Sequence, residues 1–260
     1  MASGRAAVAR TRLADDRACA ARLRGHALPL GRGAKGWSRR LARRGRPRAV
    51  GRARPRPCSG GGSRLGGRAA YTLAAVAPER VGAIAALALP YQPRGAFYVP
   101  PFEQARAFWY QWLVCLEEGA RAVAADPVGF ARIQWNTWSP PGWFEHEEFE
   151  RTARSFANPD WVAITLHAYR SRFLEGEVRD ARYEPMARRL AEVEQVATPT
   201  LMIQGAADRC DEPAASADQE RFSAGGYRRV VLEGVGHFPH REAPRTVAAA
   251  VDEHLRSADR

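Results

Sequence analysis

The apolar pattern changes character near Gly66. Upstream, "GRGAKGWSRRLARRGRPRAVGRARPRPCSGGG" (31–62) scatters Arg, Gly and Pro with neither a period of two nor one of 3.6. Downstream, "GRAAYTLAAVAPERV" (67–81) is rich in Ala and Leu and is punctuated by Pro78, which predicts a helix. "VGAIAALALPY" (81–91) is a short, nearly continuous apolar run, as expected of a strand buried on both faces. From 92 to about 190 come aromatic-rich helical segments broken by "PP" pairs. Strand character returns in "TPTLMIQG" (198–205) and "YRRVVLEGVGH" (227–237), with helix signals between them through about Phe222. "EAPRTVAAAVDEHLRS" (242–257) closes the pattern as an amphipathic helix.

Strands alternating with helices predict an α/β fold, a parallel sheet with helices on its faces. The expected division is a core of residues 67–92 and 191–260, a helical insertion over 93–190, and a basic segment over 1–66. That first segment holds too little apolar surface to offset chain entropy, so the N-terminal part of the sheet is expected to be missing or disordered.

Charge sharpens this division. The chain of 260 residues carries a net +12. Residues 1–68 hold 19 Lys and Arg against 2 acids, a balance of +17, whereas the remainder holds 21 against 26, or −5. A basic arm binding nucleic-acid phosphates on a non-enzymatic scaffold is therefore a competing reading. Trp37 is the one aromatic residue in 31–62, which leaves the arginines without interleaved stacking partners. Cys19, Cys58, Cys115 and Cys210 are scattered without a paired framework, as in reduced cytoplasmic proteins. No leader-like apolar core or membrane-length apolar run occurs.

The candidate chemistry sits after the two late strands. Asp208 in "LMIQGAADRCDEP" and His237 in "VVLEGVGHFPH" each begin a loop beyond a strand end. Ligand and active sites of open α/β sheets lie at those carboxyl ends. An Asp there can fix the tautomer of a His acting as base. Asp211 is the competing acid, set further from the strand end. His240 lies close to His237, but no third ligand has zinc-like spacing, so neither metal nor cofactor is expected.

Residues 67–260 resemble the epoxide hydrolase and haloalkane dehalogenase branch of the α/β-hydrolases. The stretches that carry the likeness are "GRAAYTLAAVAPERV", "FWYQW", "DPVGFARIQWNTWSPPGWF", "TPTLMIQGAAD" and "GVGHFPHREAP". The resemblance implies hydrolysis of a small apolar substrate beneath a helical cap, by an Asp nucleophile, an acid and a His. It also implies that Tyr110 and Tyr169 hydrogen-bond an opening epoxide oxygen. The tryptophans at 109, 112, 135, 138, 143 and 161 are expected to build the apolar pocket, with Trp109 and Trp138 against substrate.

One position departs from the family. The elbow outline Gly62-Ser63-Arg64-Leu65-Gly66 has Arg64 at its apex, and a guanidinium can only donate. Back-translated as GGG-TCA-CGA-CTG-GGG and read one nucleotide later, this stretch encodes Gly-His-Asp-Trp, the family's elbow. The same shift turns "TRLA" into His-Gly-Trp-Pro, like the family's oxyanion loop, and "RARPRPC" into a plausible loop and strand start. Residues 1–66 are therefore expected to be translated out of frame, consistent with Lys35 as the sole lysine of the chain.

Overall fold

The strands hydrogen-bond side by side in the order β1 (Cys58–Ser63), β2 (Val81–Leu87), β3 (Thr200–Gly205), β4 (Tyr227–Leu232). This computed structural model describes residues 58–63, 65–96, 100–174 and 180–258. Residues 1–57 and Arg64 lie outside the described residues, and so do the basic-arm reading and most of the out-of-frame reading. The chain divides into two units, Met1–Cys58 and Ser59–Arg260, and the description concerns the second.

β2 and β3 pair in parallel, Ile84 opposite Thr200 and Leu87 opposite Ile203. β3 and β4 are also parallel, Thr200 opposite Tyr227 and Gly205 opposite Leu232. Period-two alternation divides the side chains between two cores. Ile84, Ala86 and Met202 pack against Ala70, Tyr71, Ala74 and Ala75 of α1 (Leu65–Val76). Ala85, Leu87, Leu201 and Ile203 pack with Val247 of α10 (Pro244–Ala258). Leu201, Met202 and Ile203 are fully buried, each worth about 1.5–3 kcal/mol relative to exposure.

β1 falls within the segment expected to lack structure. "CSGGGS" has little side-chain surface to pack, and backbone proximity explains its place. A Cβ added to Gly61 would come 2.7 Å from the carbonyl oxygen of Ala85 on β2, so glycine is what lets the two backbones approach.

Between β2 and β3 run α2 (Phe102–Ala107), α3 (Trp109–Leu113), α4 (Glu117–Ala125), α5 (Pro127–Trp138), α6 (His146–Ala153), α7 (Trp161–Phe173) and α8 (Glu184–Glu192). Asp126 starts α5 by accepting from the Gly129 amide at 2.7 Å, with Pro127 at the first helical position. Tyr110, Trp135, Trp138 and Phe149 form an aromatic core that reaches Cys210 and Phe238. No helix among the described residues is long and apolar enough to cross a membrane.

His254 of α10 is buried, and that burial holds its pKa below the ordinary value, with Arg228 adding to the effect. The folded chain thus binds fewer protons than the unfolded one below about pH 6.5, so stability falls as pH falls through that window. Urea midpoints recorded from about pH 7 to about pH 5 should decline less steeply in His254→Gln than in the parent chain. Equal slopes would count against this origin, because half-buried His240, also depressed by burial, is present in both.

Candidate active site

The β3–β4 register sets Gly205 level with Leu232, so the loops that follow leave the sheet as neighbours. They are bonded at once: Ala206 N–H donates to Leu232 O and Ala207 N–H to Val235 O, both at 2.9 Å. A Cβ on Gly205 would lie 2.1 Å from Gly236 O, so only glycine permits this approach. Asp208 and His237 follow within a few residues, and both are buried.

The structure brings these two together. His237 Nδ1 lies 3.0 Å from Asp208 Oδ1 and 2.8 Å from Oδ2. A carboxylate only accepts, so the proton sits on Nδ1 and Nε2 is the basic nitrogen. Asp208 Oδ2 also accepts from Gln204 Nε2 at 2.8 Å. Oδ1 accepts from the amides of Cys210 and Asp211 at 2.8 and 2.9 Å. Asp208 rather than Asp211 receives the imidazole, and His237 rather than His240 supplies it.

The helical block grips both loops. Gln104 of α2 donates to Cys210 O at 2.6 Å and accepts from the Glu212 amide at 2.9 Å. At the end of α5, Trp138 O accepts from Arg209 N–H at 3.0 Å. Ser139 Oγ, fully buried, accepts from His237 N–H at 2.9 Å and donates to Glu242 Oε1 at 2.7 Å. The Glu242 carboxylate also accepts from the Gly236 and Phe238 amides, at 2.6 and 2.8 Å. It therefore holds the peptide groups on either side of the His237 side chain. Glu242 lies on α9 (Pro239–Glu242). Sequence reading missed Gln104, Ser139, Glu242 and Gln204; only Gln204, polar within an apolar strand, carried a local signal.

A cavity of about 200 Å³ is lined among others by Tyr110, Tyr169, Gln104, Phe108, Arg68 and Asp211; neither Asp208 nor His237 lines it, and Asp211 of the β3 loop is its link to the pair. Tyr110 and Tyr169 meet edge to face with centroids 5.4 Å apart. The Tyr110 hydroxyl accepts from Gln111 Nε2 at 3.0 Å and lies 3.7 Å from Cys210 Sγ. Trp109 and Trp138, expected against substrate, are not among the residues that line this cavity. Trp109 is partly exposed and edge-on to Tyr110, and the Trp138 ring lies 4.9 Å from that of Tyr110 and 5.0 Å from that of His237.

Arg64 is outside the described residues, and the glycines on either side of it stand close together. A Cβ on Gly67 would lie 2.9 Å from Gly62 O, and one on Gly62 would lie 3.0 Å from Gly66 Cα. Strand, helix, strand, helical block, strand followed by the acid, strand followed by the His is the element order observed.

A solved candidate epoxide hydrolase from Klebsiella pneumoniae shares this architecture with a TM-score of 0.68 and 32% identity, over 77% of this chain and 67% of that one. The chain belongs to the α/β-hydrolase family, in its epoxide hydrolase-like branch. Two more distant α/β-hydrolase likenesses concern the fold alone. An epoxide hydrolase variant from Bacillus megaterium, solved with a diol product, has a TM-score of 0.61 at 19% identity over 77% of this chain and 70% of its own. A candidate acyltransferase from Salmonella enterica has 0.64 at 18%, over 78% and 65%. No protein-family model and no curated protein matches the sequence.

The brace on the His237 loop of this α/β-hydrolase family member can be weighed by mutation. Ser139→Ala leaves the buried His237 amide without its acceptor and should cost about 1–3 kcal/mol of stability. Glu242→Ala removes acceptors from Gly236, Phe238 and Ser139 together and should cost more than Ser139→Ala. Urea unfolding of both variants checks the order; a neutral Glu242→Ala would show that water substitutes for the carboxylate.

Proposed function

We propose that the chain has the scaffold of an epoxide hydrolase acting on a small apolar epoxide, with the nucleophile position occupied by Arg64. The observation that carries this reading is the two-oxygen contact of Asp208 with His237 Nδ1, at 3.0 and 2.8 Å. In this scheme Tyr110 and Tyr169 donate hydrogen bonds to the epoxide oxygen as the ring opens. A carboxylate at the elbow attacks carbon and forms an alkyl ester. His237 Nε2 then takes a proton from water, which hydrolyses the ester to a diol, while Asp208 holds the ring and stabilises the imidazolium. The diol bound to the Bacillus neighbour is the product class that such a reaction leaves. A cavity of about 200 Å³ favours a compact substrate over a drug-sized one.

The elbow decides the rate. Arginine stays protonated and cannot attack, so step one has no nucleophile in this chain. Loss of the nucleophile from a cooperating set removes about 10³-fold or more of the rate.

Turnover of styrene oxide by the unaltered chain should therefore be near background, with diol release appearing in Arg64→Asp. Adding His237→Gln to Arg64→Asp should stop the second half-reaction and leave a covalent alkyl adduct visible by intact-protein mass spectrometry. Robust turnover by the unaltered chain, abolished by Ser63→Ala, would instead identify a serine hydrolase. The nucleotide sequence upstream of codon 66, read in all frames, tests the origin of Arg64.

A further inference from the structure

Sequence spacing offers no third ligand beside His237 and His240, whereas the fold sets two other donors, Cys210 and Asp211, near His237. Cys210, Asp211 and His237 each point a donor atom to a common region, with all the donors within 4.8 Å of one another. We propose that these residues form a binding site for a soft divalent cation of the zinc class.

The donor chemistry sets the class. A thiolate, an imidazole nitrogen and a carboxylate oxygen match zinc and cobalt, whereas magnesium and calcium prefer oxygen throughout. Thiolate and carboxylate together balance a 2+ charge. Tetrahedral zinc needs donor separations of about 3.3–3.8 Å, so the site must close by up to about an ångström. The half-buried Asp211 carboxylate can supply that by rotation.

The support around the donors is that of a metal site. With Nδ1 bonded to Asp208 at 2.8 Å, Nε2 is the nitrogen that the proposal assigns to the cation. A ligating histidine is usually held in this way by a carboxylate on its other nitrogen. The same carboxylate accepts from the Cys210 and Asp211 amides at 2.8 and 2.9 Å. One buried anion thus positions all three ligand-bearing residues. The Tyr110 hydroxyl stands 3.7 Å from Cys210 Sγ and can donate to a thiolate. Asp211 and Tyr110 both line the cavity, which gives an ion an entry path as far as the Asp211 carboxylate. Such a site exchanges its metal. Coordination and proton uptake at Nε2 exclude each other, so an occupied site has no histidine base; binding itself does not depend on the hydrolase reading.

The test is a titration of the full, reduced chain with CoCl₂, followed by absorbance. The expected result is one equivalent of tetrahedral cobalt with a thiolate charge-transfer band, displaced by ZnCl₂ and removed by EDTA. Cys210→Ser should abolish the band. Because a change at a buried cysteine can unfold the chain, a second variant combines Cys19→Ser, Cys58→Ser and Cys115→Ser; it should keep the band with Cys210 as sole thiol. Asp208→Asn, which keeps all three proposed ligands but removes the carboxylate that holds them, should weaken cobalt binding about 10–100-fold. Absence of the band in the parent chain, its survival in Cys210→Ser, or its loss in the triple variant with native circular dichroism would each overturn the proposal.

Discussion

A carboxylate with almost no access to water has to find its solvation within the protein, and at Asp208 it does. The imidazole of His237, the amide of Gln204 and two consecutive backbone N–H groups all donate to it. Removing such a group from water without these donors would cost several kcal/mol. The loop after β3 is wound to bring its amides inward for this reason, and its shape follows. The histidine loop, the side chain of the penultimate β3 residue and the loop's own backbone are then fixed relative to one another.

A second carboxylate performs the matching task on the other loop. Glu242 receives the two amides that flank His237 and the hydroxyl of Ser139, so the base is held through its peptide groups as well as its ring. Asp208 fixes ring orientation, and Glu242 fixes backbone position. Separating these duties lets the ring face chemistry while the chain that carries it stays rigid.

What could be read from sequence follows the range of the interactions. β2 and β3 are legible because a strand buried on both faces must be apolar throughout, and Asp208 and His237 because each follows such a run in a fixed order. β1 is not legible: "CSGGGS" has low strand propensity and is placed by close approach to Ala85, a property of its neighbour. Ser139 and Gln104 are invisible for a similar reason, since their partners lie 98 and 106 positions away.

The two phenols on the cavity differ in burial. Tyr110 is buried, on a helical block whose Gln104 and Ser139 are bonded to the two functional loops. Tyr169, on α7, is only partly buried, although its ring meets that of Tyr110 and the ring of Phe173 further along the helix meets that of Trp112. A polar group leaves water at a cost that grows with how much water it had. A molecule entering the cavity would therefore meet one phenol already stripped of water and one that still has hydration to lose.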